Sequence, residues 1–353
     1  MTTAERVDAS ELEQFTTDVL AAVGTRSDVA AAMARAIVAA DRRGVDSHGV
    51  VRLEAYVTKL EAGGINGDPD ITVEHTAPAA LCVDADHGPG QIAAARAMDA
   101  AIEVAADTGV SCATVSASNH FGLAGYYAER ASAAGYIGLV TTNADATVAS
   151  YGGMEPSFGT NPIAVSVPTS RPFPITVDLA TSAASLGAVE LAAAAGADIP
   201  SAWGLDDRGE PTTDPDAVTA LRPLGGPKGF GLALVVDVLS GVLSGAGLSA
   251  TRVGLYDDAD TSMGIGHAVA AIDVTAFRER DAFLADIDEL IETITAMPPR
   301  PGFDEVRLPG QGAARTRRDR DEHGVPLDPD VLAGLDELAN KYGLDPVDRM
   351  QNV

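Results

Sequence analysis

The sequence predicts an α/β fold, a mixed sheet covered by helices behind a helical N-terminal region. Three observations predict it. Residues 8–40 are Ala-rich with helical spacing and few breakers. From Ile71 onward, short β-rich runs alternate with Ala-rich helical runs. The links between strand-like runs are partly helical and partly short, which suits a mixed sheet.

Two helices are expected within residues 8–43, the second over 28–43. A third starts near Val50 and ends before the glycines at 63 and 64. The strand-like runs are ALCVDA, GVSCATVSA, YIGLVTTNA, NPIAVSVPT and FPITVDLAT, with helices at 91–107 and 123–134 between the first three. Residues 182–196 read as a helix and 198–226 as loops rich in Asp, Pro and Gly. A long helix follows at 228–244, a strand at 268–274 and an amphipathic helix at 275–296. TRRDRDEHG in the tail reads as a solvated charged face.

The chain has 353 residues, room for about two domains, and 46% are apolar. No apolar run follows a basic N-terminal segment, so no signal peptide is expected. GFGLALVVDVLSGVLSGAG, from Gly229, carries Asp237, several Gly and two Ser; it reads as a buried helix rather than a membrane span. The net charge of −27 argues against nucleic acid, because phosphate contacts need a basic surface. Lysine occurs only at Lys59, Lys228 and Lys341. An acid-rich, Lys-poor surface suits solvation at high salt, so a salt-adapted cytoplasmic protein is expected, with an ordinary acidic protein as the alternative. Cys82 and Cys112 form no disulfide framework and no metal pattern; both are expected to be small core residues.

HGPGQIAAARA at 87–97 holds Gly88, Gly90 and Ala93 in GxGxxA order. Pro89 stiffens the turn, and the motif is not expected to begin a βαβ repeat at the start of a domain, so a Rossmann reading is discounted. DSHGVVRLEAY at 46–56 carries more. A Ser or Asp before a helix is often only an N-cap. Arg52, however, follows His48 by four residues and on a helix would share its face. A guanidinium fork binds a carboxylate, and an imidazole beside it moves a proton near neutral pH. That set fits a small 2-oxo or 2-hydroxy acid, with Ser47 adding a hydrogen bond.

In SASNHFGLAGYYA, Asn119 and His120 close a strand and Phe121 and Gly122 open a helix, a common place for catalytic groups. A satisfied core histidine is the competing reading. Lys228, in GGPKGFG, sits among glycines at a helix start, where backbone N–H groups also favour an anion. Thr160, Asn161, Asp178, Thr181 and Ser182 lie at apparent strand ends, where they suit a polar ligand. No HxxxH or Cys/His cluster points to a metal.

Together DSHGVVRLEAY, SNHFGLAGYYAERA, YGGMEPSFGTNPIAVSVPT, VDLATS, GGPKGFGLALVVDVLSGVLSGA, GIGHAVAAID and VRLPG, in this order and over most of the chain, resemble the type II malate/L-lactate dehydrogenase family. This family is also called L-sulfolactate dehydrogenase-like, and it includes ureidoglycolate dehydrogenase, 2,3-diketo-L-gulonate reductase and Δ1-piperideine-2-carboxylate reductase. The resemblance implies NAD(P)-dependent oxidoreduction of a 2-hydroxy acid or a related C=O or C=N compound. It also implies a homodimer and a non-Rossmann, largely antiparallel mixed sheet. Carried over by motif, His48 and His120 are alternative proton donors, and Arg52 matches the arginine near the substrate carboxylate. Asp178, Leu179, Ala180, Thr181 and Ser182 match the strand end that meets the dinucleotide, and Lys228 with Gly229 its lysine contact. His120, Asn143, Thr160 and Gly310 are counted with the cofactor set.

There are departures. The turn after VDLATS often carries basic residues in relatives but reads AASLGAVE here, with Leu186 and Ala188, which leans to NAD over NADP. Gln311 stands where PGE is common, and Ala144 where a hydroxyl is common.

The division expected is a helical region at 1–70 packed with the tail at 300–353, and a mixed-sheet cofactor- and substrate-binding domain at 71–299. The expected activity is dehydrogenation of malate, lactate or sulfolactate. A cyclic imino acid reductase on the same fold is the alternative, and a non-enzymatic ligand-binding protein a remote one.

If the acidic surface is a salt adaptation, the melting temperature should rise between dilute buffer and molar KCl. Equal melting temperatures in the two would refute it.

Overall fold

In the computed structural model, residues 5–350 are described. β1 (Glu5–Val7) leads to α1 (Ala9–Ala22), whose N-cap Asp8 accepts the Ser10 and Glu11 amides at 2.8 and 3.2 Å. α2 (Ser27–Arg42) buries Val29, Met33, Ile37 and Ala40 along one face. The spacing predicts one helix from Val50. Instead two 3-10 turns, Asp46–His48 and Val50–Arg52, precede α3 (Leu53–Ala62). Gly49 breaks the run: its backbone is extended, and a Cβ there would overlap the Asp41 carboxylate. His48 and Arg52 therefore do not share a helix face; the break brings them together instead.

The central part of the chain supplies β2 (Thr72–Ala77), β3 (Ala80–Asp84), α4 (Gly90–Thr108), β4 (Val110–Ser118), α5 (Ala124–Ala133) and β5 (Tyr136–Thr142). Then come β6 (Val148–Ala149), β7 (Pro156–Phe158), β8 (Ile163–Val167), β9 (Ile175–Leu179) and α6 (Leu186–Ala194). β10 (Gly204–Leu205), β11 (Pro211–Thr212), β12 (Ala220–Leu221), α7 (Pro227–Val236) and β13 (Ile265–Asp273) follow. α8 (Arg280–Thr295), α9 (Gln311–His323), β14 (Val325–Leu327) and α10 (Pro329–Tyr342) complete it.

The main sheet has the order β2-β3-β4-β13-β5-β8-β9, and only β3 and β4 run parallel. It is mixed and largely antiparallel, as the resemblance implies. α4 and α5 cover one face. Small residues let them lie close: a Cβ on Gly138 would meet Ala131 Cβ at 2.7 Å. β1 pairs with β14, α1 touches α10 and α2 touches α9, so the first and last segments pack together.

Four further expectations need correction. Cys82 and Cys112 are exposed. The strand alternation turns Leu81, Val83 and Ala113 into the core and these two cysteines to the opposite face. GPGQIA does open a βαβ unit, β3-α4-β4. Its turn is nonetheless filled by protein: Asn119 Nδ2 donates to the His87 and Gly88 carbonyls at 2.7 and 3.1 Å. The loop-rich stretch 198–226 contributes β10, β11 and β12 to a second sheet, ordered β11-β10-β12-β6-β7, over a small core of Val148, Val189, Ile199 and Leu221. The long late helix is buried on one face only, through Gly229, Ala233, Val236 and Ser240. Leu232, Val235, Val238, Val242 and Leu243 are 41–60% exposed. Beyond Val236 it widens into a π-helix, Asp237–Val242, where buried Asp237 accepts the Ser249 hydroxyl at 2.6 Å.

Gly90→Ala should destabilise the chain by about 1–3 kcal/mol in denaturant unfolding, because the new methyl would overlap the Asn119 carbonyl. Gly187→Ala, with open space around it, is the control. Equal stability of the two variants would contradict this packing.

Candidate active site

The turn that carries Ser47 and His48 rests on a buried carboxyl. Asp41, 1% exposed, accepts the Val50 amide through Oδ2 at 2.9 Å. Arg320 donates to the Asp41 carbonyl and to the Asp46 carboxylate, which ties α9 to the same turn. Ser47 Oγ lies 3.0 Å from His48 Nδ1. Arg52 Nε donates to the Ser47 carbonyl at 2.8 Å, and its Nη1 donates to Tyr256 Oη at 2.7 Å.

The second segment is the end of β4. Ala117 takes a left-handed φ of 48° beside a bulge against β13, which turns the chain toward His120. Asn119 is fully buried and accepts the Met263 amide at 2.9 Å. His120 Nδ1 lies 2.6 Å from Tyr56 Oη, and the His48 and His120 rings stack with centroids 6.0 Å apart. Among the described residues neither Nε2 has a hydrogen-bond partner. Behind them His267, fully buried, bridges Ser118 and Thr142 at 2.8 and 2.7 Å and stacks on Phe121. Sequence reasoning missed Tyr56 and Tyr256. Tyr56 had a signal, four residues beyond Arg52 in the same motif. Tyr256 had none, since it arrives from a loop two hundred residues away.

The third segment surrounds β9. Asp178 Oδ2 accepts the Gly125 amide at 2.6 Å, joining the strand end to the start of α5; a Cβ on Gly125 would lie 2.7 Å from that oxygen. Leu179 and Ala180 are half-buried, and Thr181 bonds back to the Thr160 carbonyl at 2.9 and 3.0 Å. Ser182 Oγ donates to the Ala184 carbonyl. The Leu224 amide donates to the Thr181 carbonyl at 2.8 Å, and Gly229 has no room for a side chain there. The start of α7, with exposed Lys228, is thereby set against the end of β9. Gly310, at φ 87°, packs by Pro174 and Thr176 at the other end of that strand. Asn143 is fully buried and its amide is spent inside the fold, on Gly247, Asp237 and Gly266.

Comparison with known proteins gives the lineage. A family model described as malate/L-lactate dehydrogenase matches residues 7–336. Ureidoglycolate dehydrogenase (NAD(+)) of Escherichia coli K12 is 35% identical over 330 residues, covering 94% of this chain and 95% of that protein. Malate dehydrogenase of Pyrococcus horikoshii is 37% identical over 350 residues, covering 96% of each. The solved sulfolactate dehydrogenase of Methanocaldococcus jannaschii superposes with a TM-score of 0.92 at 33% identity, over 98% of this chain and 100% of that one. The chain belongs to the malate/L-lactate dehydrogenase family. It is an NAD(P)-dependent 2-hydroxy acid dehydrogenase.

In this dehydrogenase the electrostatics follow from burial. Burial, then the Arg52 charge, lowers His48 to about 4. Burial, then His48, Arg52 and His267, holds His120 well below its ordinary value. Burial pushes Asp41 up to about 8, and Asp46 adds repulsion. At neutral pH both imidazoles are unprotonated and ready to accept a proton from an alcohol. The Tyr56 hydroxyl serves His120 in either state, donating to a bare Nδ1 or accepting from a protonated one. His48 also links pH to stability. Its folded value lies below the unfolded one, so its contribution is present above about 6.5 and lost as pH falls through about 4.

kcat/KM for 2-hydroxy acid oxidation should stay flat from pH 8 to pH 5. A base at the ordinary histidine value would lose about thirtyfold over that range. A decline centred near pH 6.5 would contradict the burial account.

Proposed function

We propose that the protein interconverts a small 2-hydroxy acid and its 2-oxo acid, with malate, lactate or sulfolactate as substrate. The carrying observation is the pair of stacked imidazoles, each held through Nδ1 with Nε2 unpartnered among the described residues, next to Arg52. Arg52 clamps the substrate carboxylate, and a guanidinium fork is the group best shaped for that. His48 or His120 exchanges the proton with the substrate oxygen at Nε2. Ser47 and Tyr56 hold the rings, and clamp and ring together keep the reacting carbon in place.

A bound nicotinamide cofactor supplies the hydride chemistry. The residues that would hold it are Lys228 and the amides at the start of α7, the amides opening α5 just after His120, the strand end at Asp178, Leu179, Ala180, Thr181 and Ser182, and Gly310. The fit rests on two helix starts of opposite origin near one strand end, with glycine where backbone must approach. No basic side chain follows β9 before α6, which favours NAD over a 2′-phosphorylated cofactor.

Two further properties belong to this reading. The uncovered apolar face of α7 and its π-helix supports a homodimer closed on that face. The composition supports a salt-adapted cytoplasmic enzyme; no helix among the described residues is long and apolar enough to cross a membrane.

His48→Ala and His120→Ala are compared with the parent enzyme in oxaloacetate and pyruvate reduction. Loss of the proton-transferring ring should cost roughly 10²–10⁴ in kcat. Arg52→Ala should raise KM by roughly 10- to 100-fold, the worth of a charge-assisted bond. Full turnover in both histidine variants would end the assignment, and reduction of a cyclic imino acid alone would move it to the imine class.

A further inference from the structure

A cavity of about 560 Å³ opens between α2, α5, the β8–β9 hairpin, α8 and α9. None of the residues assigned above to substrate or proton transfer lines it. Its walls carry an unusual share of the chain's positive charge. Of 24 basic residues, three are lysines, and seven of the remaining 21 arginines line this one cavity. Glu13 and Glu129 are the carboxylates on its walls. In a chain of net charge −27, so local an excess of guanidinium groups creates a positive potential that the rest of the surface opposes.

The arginines differ in how far their charge is already used. Arg42 pairs with Asp321, Arg130 with Asp99, and Arg171 with Asp288 and Glu292. Arg35, from α2, and Arg280, from the start of α8, have no carboxylate partner among the described residues. Arg43 is a second, independent sign. Its side chain is 9% exposed and its two terminal nitrogens grip Glu129 at 2.6 and 2.7 Å. Its Nε is buried with no acceptor among the described residues. A buried N–H without a partner is costly, so an acceptor from outside the chain is the natural complement.

The volume decides the size of that acceptor. Small-molecule sites run from about 300 to 1,000 Å³, so this cavity exceeds the needs of one inorganic ion. Unpaired cations approach it from two elements, α2 and α8, which calls for more than one negative group. We propose that the cavity binds a small polyanion, an organic oligophosphate or a polycarboxylate, at a second site on the chain. One rim lies near the cofactor region, since Pro174 lines the cavity and also packs on Gly310. The test must therefore separate the two.

Inorganic triphosphate and citrate are titrated calorimetrically into the full-length protein at constant KCl, with and without saturating NADH or NADPH. The same titrations are made on an Arg35→Ala/Arg280→Ala variant; both side chains are exposed and unpaired, so their loss orphans no buried charge. The wild type should bind one probe at one per chain whether or not the nucleotide is present, and the variant should bind it at least tenfold more weakly with 2-oxo acid turnover unchanged. Binding of triphosphate alone assigns the site to phosphate oxygens, and of citrate alone to carboxylates. No binding by the wild type, or equal binding by the variant, overturns the proposal. Displacement by the nucleotide also overturns it, because the cavity is then the far end of the cofactor site. The binding outcomes do not depend on the dehydrogenase reading; only the turnover control does.

Discussion

The hydrogen bond between Tyr56 and His120 joins the two parts on which the candidate active site depends. Tyr56 is fully buried on α3, in the helical N-terminal region, and His120 follows β4 of the main sheet. A bond of this kind contributes about 1 kcal/mol net, yet losing one partner strands a buried polar group at about 1–3 kcal/mol. It also fixes which way the imidazole faces. The other devices around it serve the same registration. Asp41 props the turn of His48, Asn119 clamps the turn before α4, and His267 backs Phe121.

Much of this was legible in the sequence, for identifiable reasons. Six of the seven strands of the main sheet announce themselves by alternation and β-branched residues; β2, an edge strand exposed along its whole length, does not. His48 and Arg52 stand out as charge-handling groups in one motif, although their proximity comes from a break at Gly49 rather than from a shared helix face. What was not legible depends on partners distant in sequence. Tyr256 reaches Arg52 only through folding. Asn143 reads as a ligand group at a strand end, but its amide is taken up by Gly247 and Gly266. Cys82 and Cys112 sit in apolar runs, and only the strand register shows which face they take. The strands β10, β11 and β12 have two residues each, too short for any periodicity. The π-helix begins at Asp237, whose partner Ser249 lies twelve residues on, beyond the reach of any helical periodicity.

The distribution of charge fits a chain that handles anions against its own net charge. With 51 acidic residues, the surface repels a carboxylate substrate at long range, and salt screens that repulsion over about 10 Å at 0.1 M. Attraction is left to short-range contacts. Arg52 offers a fork within the site, Lys228 a point charge at a helix start, and the arginine cavity a concentrated patch elsewhere. Arg52 is held by the Ser47 carbonyl and the Tyr256 hydroxyl, and in the proposed reading a substrate carboxylate would replace the latter.

The most direct test of the central claim is spectrophotometric. Purified protein in molar KCl is mixed with NADH or NADPH, and loss of reduced-nicotinamide absorbance is followed with each of several 2-oxo acids and with matched aldehydes that lack the carboxylate. The account predicts rapid oxidation with at least one 2-oxo acid and little with its aldehyde counterpart, because Arg52 has nothing to hold. Equal rates with and without the carboxylate, or no oxidation of either nucleotide by any 2-oxo acid, would contradict it.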